Sequence, residues 1–110
     1  MSWRTVCPLA RVPSERGVAV LVDGQQVALF RTVGGTVHAL SNRDPVSGAM
    51  VLSRGIVGTR GERDVVTSPM YKQSFDLATG ECLELPGVSV PVHQVQVHAG
   101  FVAVQAAPAG

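Results

Sequence analysis

Three pairs of short runs rich in β-branched residues, each pair broken by a glycine-containing turn, constrain this chain more than any other feature. The first pair is Val18-Ala19-Val20-Leu21-Val22 and Gln26-Val27-Ala28-Leu29-Phe30, joined through Asp23-Gly24. Asp-Gly suits a tight hairpin because both central residues tolerate positive φ. The second carries Leu29–Thr32 into Val37–Leu40 through Gly34-Gly35. The third carries Val92–Val97 into Phe101–Val104 through His98-Ala99-Gly100, which places His98 in the turn. In its first strand His93, Val95 and Val97 share one face while Gln94 and Gln96 take the other. That alternation predicts a sheet with one buried and one wet face. No window of about 11 residues carries a helical apolar stripe. Valine fills 20 of the 110 positions, with 12 Gly and 7 Pro as punctuation. The chain therefore reads as all-β, built from short antiparallel strands.

Length and charge narrow the function classes. A chain of 110 residues is one domain's worth and buries roughly 65% of its unfolded surface. The expected organisation is a single domain over 1–105, with a loop-rich insertion at 42–91 and a flexible tail at 106–110. Nine basic against eight acidic residues give a net charge of +1. That balance argues against a nucleic-acid partner, which needs phosphate neutralisation, and against a polybasic membrane-surface protein. No apolar run reaches the roughly 18 residues of a spanning helix, and Met-Ser-Trp-Arg-Thr-Val-Cys-Pro lacks the apolar core of a secretory signal. A soluble, cytoplasmic protein is the expectation. Cys7 and Cys82 stand far apart, too few for a disulfide framework or a four-thiolate metal site. They are expected as buried, reduced thiols. The three histidines, His38, His93 and His98, are expected at ordinary surface or half-buried positions.

Two segments of the insertion carry a recognisable pattern. They are Ser41–Gly55, containing Asp44-Pro45-Val46-Ser47-Gly48-Ala49, and Thr67–Cys82, containing Ser68-Pro69-Met70-Tyr71 and Phe75-Asp76-Leu77-Ala78-Thr79-Gly80. Their framework resembles the two cluster-binding boxes of Rieske iron–sulfur proteins, through Pro45, Gly48, Ala49, Pro69, Phe75, Asp76, Thr79 and Gly80. The ligand positions differ. Asp44 and Val46 stand where the first box has Cys and His, and Ser68 and Tyr71 stand where the second does. A Rieske centre takes two thiolates on one iron and two imidazoles on the other. Valine has no donor atom, and hydroxyl groups suit so soft a site poorly. No bound cluster or other metal is expected in this chain.

A closer likeness runs from Trp3 to about Val104. Val27-Ala28-Leu29-Phe30-Arg31, Asn42-Arg43-Asp44-Pro45, Val51–Gly58, Ser68-Pro69-Met70-Tyr71-Lys72-Gln73 and Thr79-Gly80-Glu81-Cys82-Leu83 resemble the small subunit of the assimilatory NAD(P)H-dependent nitrite reductase. Val46 departs from that pattern, in which a larger aromatic residue is expected. The resemblance implies a Rieske-like antiparallel β-sandwich with a loop-rich insertion holding two degenerate cluster-binding boxes. It also implies a partner, a large subunit that carries FAD, an iron–sulfur cluster and sirohaem and reduces nitrite to ammonia. The present chain has no G-x-G-x-x-G dinucleotide fingerprint and no complete ligand set. Its expected role is accessory: docking on that large subunit and supporting it, with no catalytic or cofactor-binding residue of its own.

Polar and apolar groups on the two boxes make the candidate contact surface: Arg43, Asp44, Met50, Arg54, Met70, Tyr71 and Lys72. Arg and Tyr are enriched at interface hot spots, and Met adapts to uneven surfaces. The competing reading of the same residues is structural, with Asp44 pairing with Arg43 or Arg54 to hold the loops. Asp44-Pro45 is also an ordinary turn former. Two functional alternatives stand beside the accessory subunit: a working Rieske ferredoxin of an oxygenase, and a stand-alone β-domain binding module.

Overall fold

The computed structural model describes residues 2–108. It contains nine strands in that span: β1 (Arg4–Pro8), β2 (Gly17–Val22), β3 (Gln25–Arg31), β4 (Val37–Ser41), β5 (Ile56–Arg60), β6 (Arg63–Thr67), β7 (Ser74–Asp76), β8 (Val92–His98) and β9 (Phe101–Gln105). Short 3₁₀ turns occupy Leu9–Arg11 and Leu52–Arg54. Six strands form one antiparallel sheet in the order β1-β9-β8-β4-β3-β2, and β5-β6-β7 form a second. The all-β architecture of antiparallel strands read from the sequence is the one observed.

All three hairpins form. Val22 pairs with Gln25 across a turn in which Asp23 and Gly24 both take positive φ, 49° and 81°. Arg31 pairs with Val37. His98 pairs with Phe101, so this histidine closes β8 instead of sitting in the turn, and Ala99 and Gly100 turn the chain with φ of 52° and 83°. Val97 also departs from expectation, being 44% exposed. The reason lies in the register. β8 pairs with β4 only through Val92 and His93, so its distal half projects with β9 and β1 and finds less to pack against.

Two elements were not legible as strands. β1 pairs with β9, from Arg4 opposite Val104 to Pro8 opposite Phe101, with an irregularity between Thr5 and Cys7. The segment expected as loop-rich holds the whole second sheet. Its strands are three to five residues long and carry charge at the β5–β6 turn, from Arg60 through Arg63 and Asp64. Such short, interrupted strands give little period-two signal.

Two apolar clusters fill the molecule. One gathers Val12, Val22, Val27, Leu29, Ala39, Val102, Val104 and Ala106. The other gathers Ala28, Phe30, Leu40, Leu52, Val66, Phe75, Leu77, Cys82 and Val90, and joins the second sheet to the first. β3 serves both, because successive side chains point to opposite faces: Val27 and Leu29 enter one cluster, Ala28 and Phe30 the other. Cys82 is buried, while Cys7 on β1 is only partly so. Ala106 and Ala107 lie in the stretch expected as a tail, yet Ala106 is 8% exposed and Ala107 is hydrogen-bonded to His93. Residues 109–110 of that expected tail lie outside the described residues.

Candidate functional site

The two boxes meet through a buried hydrogen bond, beside the apolar cluster that Leu52 of box one shares with Phe75 and Leu77 of box two. Box one leaves β4 through Asn42, which is 2% exposed and acts as the hub of its loop. Its Oδ1 accepts the Ser53 N–H at 2.7 Å, and its Nδ2 donates to the Met50 carbonyl at 3.2 Å and to Gln26 Oε1 at 3.1 Å. Beyond it the chain makes a tight turn, with the Asp44 N–H donating to the Ala49 carbonyl and the Gly48 N–H to the Asp44 carbonyl. Gly48 takes φ of 80° there, which glycine adopts without a Cβ penalty. Asp44 Oδ1 accepts the Val46 N–H at 2.8 Å and the Ser47 N–H at 3.3 Å. These bonds turn the carboxylate inward.

Box two presents Ser68 at the end of β6. Its N–H donates to the Gln73 carbonyl, and its Oγ accepts the Met70 N–H at 3.3 Å. The Ser68 hydroxyl donates to Asp44 Oδ2 at 2.5 Å. Asp44 is 0% exposed and Ser68 1%. A carboxylate–hydroxyl hydrogen bond therefore joins the two residues that the resemblance to the Rieske boxes sets at cysteine positions. Burial pushes the Asp44 carboxyl upward, but the bonds from Ser68, Val46 and Ser47 outweigh it and hold the group below the usual carboxylate range. The carboxylate is satisfied by neutral donors, and no arginine pairs with it among the described residues. The expected pairing of Asp44 with Arg43 or Arg54 does not form among the described residues; the Ser68 hydroxyl bonds the carboxylate in their place. Arg43 is exposed, on a segment bridged to Met50.

The remaining candidate residues fall outside this contact. Val46 and Tyr71, at the two imidazole positions, are 37% and 60% exposed. Met50 and Met70 are about half exposed, and Arg43, Arg54 and Lys72 lie on the surface. Arg54 ends the 3₁₀ turn that packs against β2 and β3. Asp44 alone has no surface to offer a partner.

The other matched residues of box two build scaffold. Asp76 Oδ1 accepts the N–H groups of Ala78 and Thr79, and its Oδ2 accepts Arg63 Nε at 2.6 Å. Burial raises the Asp76 carboxyl, and these bonds more than offset it, leaving it low. Gly80 takes φ of 79°, and a Cβ there would run into the Val90 carbonyl. Among the histidines, His93 departs from the expected surface or half-buried setting at 3% exposure. Its Nδ1 accepts the Ala107 N–H at 2.8 Å, so Nε2 carries the proton and faces Ser41 Oγ at 2.9 Å. Burial holds its pKa below the usual histidine value.

The Asn42 hub and the inward Asp44 were missed because their partners, Ser53, Gln26 and Ser68, are distant in sequence. The available signal was the chemistry of the pair itself: an acid and a hydroxyl residue at two positions that converge in a Rieske framework.

A family model described as a Rieske-like [2Fe-2S] domain matches residues 2–105. The small subunit of the NADH nitrite reductase of Escherichia coli strain K12 is 37% identical over 101 residues, which cover 91% of this chain and 94% of that one. The chain belongs to the nitrite reductase small-subunit family. A crystal structure from Mycobacterium tuberculosis, described as an NADH-dependent nitrite reductase small subunit, superposes with a TM-score of 0.91 at 51% identity and covers 97% of both chains. A nitrite reductase large subunit of Klebsiella oxytoca is 38% identical over 100 residues. That match covers 91% of this chain but only one tenth (10%) of the Klebsiella polypeptide.

The cluster in the family description does not fit this small-subunit relative. The residues that the sequence resemblance sets at the ligand positions are a carboxylate and a hydroxyl bonded to each other, an aliphatic side chain without a donor, and a phenol. Among the described residues no group of three or more His, Cys, Asp or Glu side chains is placed to hold a metal ion. No described helix is long and apolar enough to cross a membrane.

Proposed function

We propose that this chain is a cluster-free accessory subunit of a cytoplasmic NAD(P)H-dependent nitrite reductase. It docks on the catalytic large subunit, which carries FAD, an iron–sulfur cluster and sirohaem and performs the reduction. The observation that carries the reading is the Asp44–Ser68 bond. It closes the two boxes without iron, so the domain keeps a Rieske-like tip while giving up the electron-transfer chemistry. The docking surface is the exposed rim of that tip, formed by Arg43, Met50, Met70, Tyr71 and Lys72, with Arg54 beside it. Half-exposed methionines and a tyrosine next to basic groups have the composition of an interface core with a charged rim.

The decisive assay reconstitutes the large subunit of this chain's own nitrite reductase with and without the purified chain. NADH-dependent nitrite consumption, complex formation and iron content are followed together. The chain should bind, contain no stoichiometric iron, and raise either the rate or the lifetime of the large subunit. Tyr71→Ala and Lys72→Ala should each weaken binding up to about tenfold. Stoichiometric iron with a paramagnetic signal on reduction would establish the ferredoxin reading in its place. Full binding by both variants would remove the tip assignment.

A further inference from the structure

A groove of about 520 Å³ opens beside box one. Leu21, Gly24 and Gln25 border one side, and Arg43, Pro45 and Met50 the other, with Pro108 also lining it. Its apolar side chains are accessible: Leu21 is 69% exposed and Met50 48%. Arg43 is the charged side chain lining it and makes no ion pair among the described residues. Gln25, Gln26, Ser41 and Ser89 add amide and hydroxyl groups to the lining, so the groove with its one free guanidinium suits a segment that mixes apolar groups with a carboxylate.

The course of the chain says which partner would bring such a segment. The start of β1 is tied to the β2–β3 turn, since Arg4 Nε bonds Asp23 Oδ1 at 3.0 Å next to the lining residue Gly24. The stretch after β9 is tied to the groove as well. Gln25 donates to the Ala107 carbonyl at 3.0 Å, and Pro108 lines the groove. Pro108 therefore lies at the groove and Arg4 beside the turn that borders it. In the Klebsiella oxytoca relative a matching stretch is one tenth of a large-subunit polypeptide. In a domain joined that way, the connecting chain enters or leaves beside this groove.

We propose that the groove seats an apolar, carboxylate-bearing segment of the nitrite reductase large subunit, extending the contact from the tip onto the β2–β3 edge. The inference rests on the small-subunit reading, and the groove shares Arg43 and Met50 with the tip surface. Leu21 belongs to the groove alone and its side chain is largely in solvent, so changing it tests the groove without touching the boxes.

The test measures the Kd of the full chain for the purified large subunit at low and moderate salt. It uses wild type, Leu21→Glu, Leu21→Gln, Tyr71→Ala and Phe101→Ser. Phe101 is exposed at the opposite end of β9. Melting curves confirm that each variant is folded. Leu21→Glu should raise Kd about tenfold or more, because it places a negative charge against an acidic segment. Leu21→Gln should raise it by a smaller factor, and Phe101→Ser should leave it within about twofold. Wild-type affinity in both Leu21 variants, with weakened binding by Tyr71→Ala, would end the groove proposal and leave the small-subunit reading intact. A change in self-association of Leu21→Glu with unchanged Kd would assign the groove to a second copy of this chain and overturn the proposal. No binding by wild type would remove both readings.

Discussion

Asp44 keeps a negative charge inside the protein because donors converge on it from both boxes: two N–H groups of its own loop and the Ser68 hydroxyl. Removing either side leaves buried polar groups unpaired, which costs more than the bond itself contributes. Asp44→Ala should destabilise the fold by about 3 kcal/mol and Ser68→Ala by about 2 kcal/mol. Because the two groups share one bond, the double variant should cost less than the sum, with a coupling of about 1–2 kcal/mol in a denaturation cycle. Additivity would mean that the boxes are held apart from this contact. Lys72, with φ of 61°, shows a second residue-scale constraint at the tip. A non-glycine residue in the left-handed region is uncommon, and here it presents its side chain from the turn of box two.

At the scale of elements, β3 links the two sheets. Val27-Ala28-Leu29-Phe30 is buried on both faces, so it reads as an unbroken apolar run and not as an alternation. Its odd and even residues belong to different apolar clusters. Leu29→Ala and Phe30→Ala should each cost about 3 kcal/mol or more. Phe30 shares its cluster with Phe75 on β7, so Phe30→Ala and Phe75→Ala should be non-additive. Leu29→Ala and Phe75→Ala, in separate clusters, should add within about 0.5 kcal/mol. A coupling of Leu29 to Phe75 as large as that of Phe30 would show that the clusters act as one.

For the whole molecule, the same hydrogen bonds set the response to pH. His93 is held neutral, since protonating Nδ1 would break the Ala107 bond that fastens the end of the chain to the six-stranded sheet. Its native pKa lies below its ordinary value of 6.5, so the unfolded chain takes up protons first as pH falls. Stability is then full above about pH 6.5 and declines below it. His38 acts in the same window. Burial lowers its pKa, and Asp64 and Asp76 pull it partly back. Asp44 and Asp76 have the opposite charge but the same direction. Their native pKa values lie below 3.8, so their contribution is present above that value and lost as pH falls through the native pKa. Unfolding free energy measured from pH 8 to pH 2 should therefore fall in two stages. His93→Gln should flatten part of the upper stage and Asp44→Ala part of the lower. An unchanged upper stage in His93→Gln would place the buried histidine's protonation elsewhere.

What local chemistry can encode was readable before any coordinates. The turn residues Asp23-Gly24 and Gly100 tolerate positive φ by their own covalent nature, and alternating valines mark strand faces, so the hairpins and the all-β class follow from near neighbours along the chain. The missing ligands are equally local, because Val46 has no donor whatever surrounds it. Tertiary structure alone decided the rest. β5–β7 are too short to show a period and exist by pairing with one another across turns and by packing Val66 and Phe75 against Phe30. From the sequence Asp44 reads as a contact residue, a partner for Arg43 or Arg54, or a turn former. Only the approach of box two, 24 positions further on, gave it a serine hydroxyl and took it out of solvent. A hydrogen bond between distant residues has no sequence period. Whether a polar side chain becomes a contact surface or an internal latch is fixed by which donors the fold brings within reach.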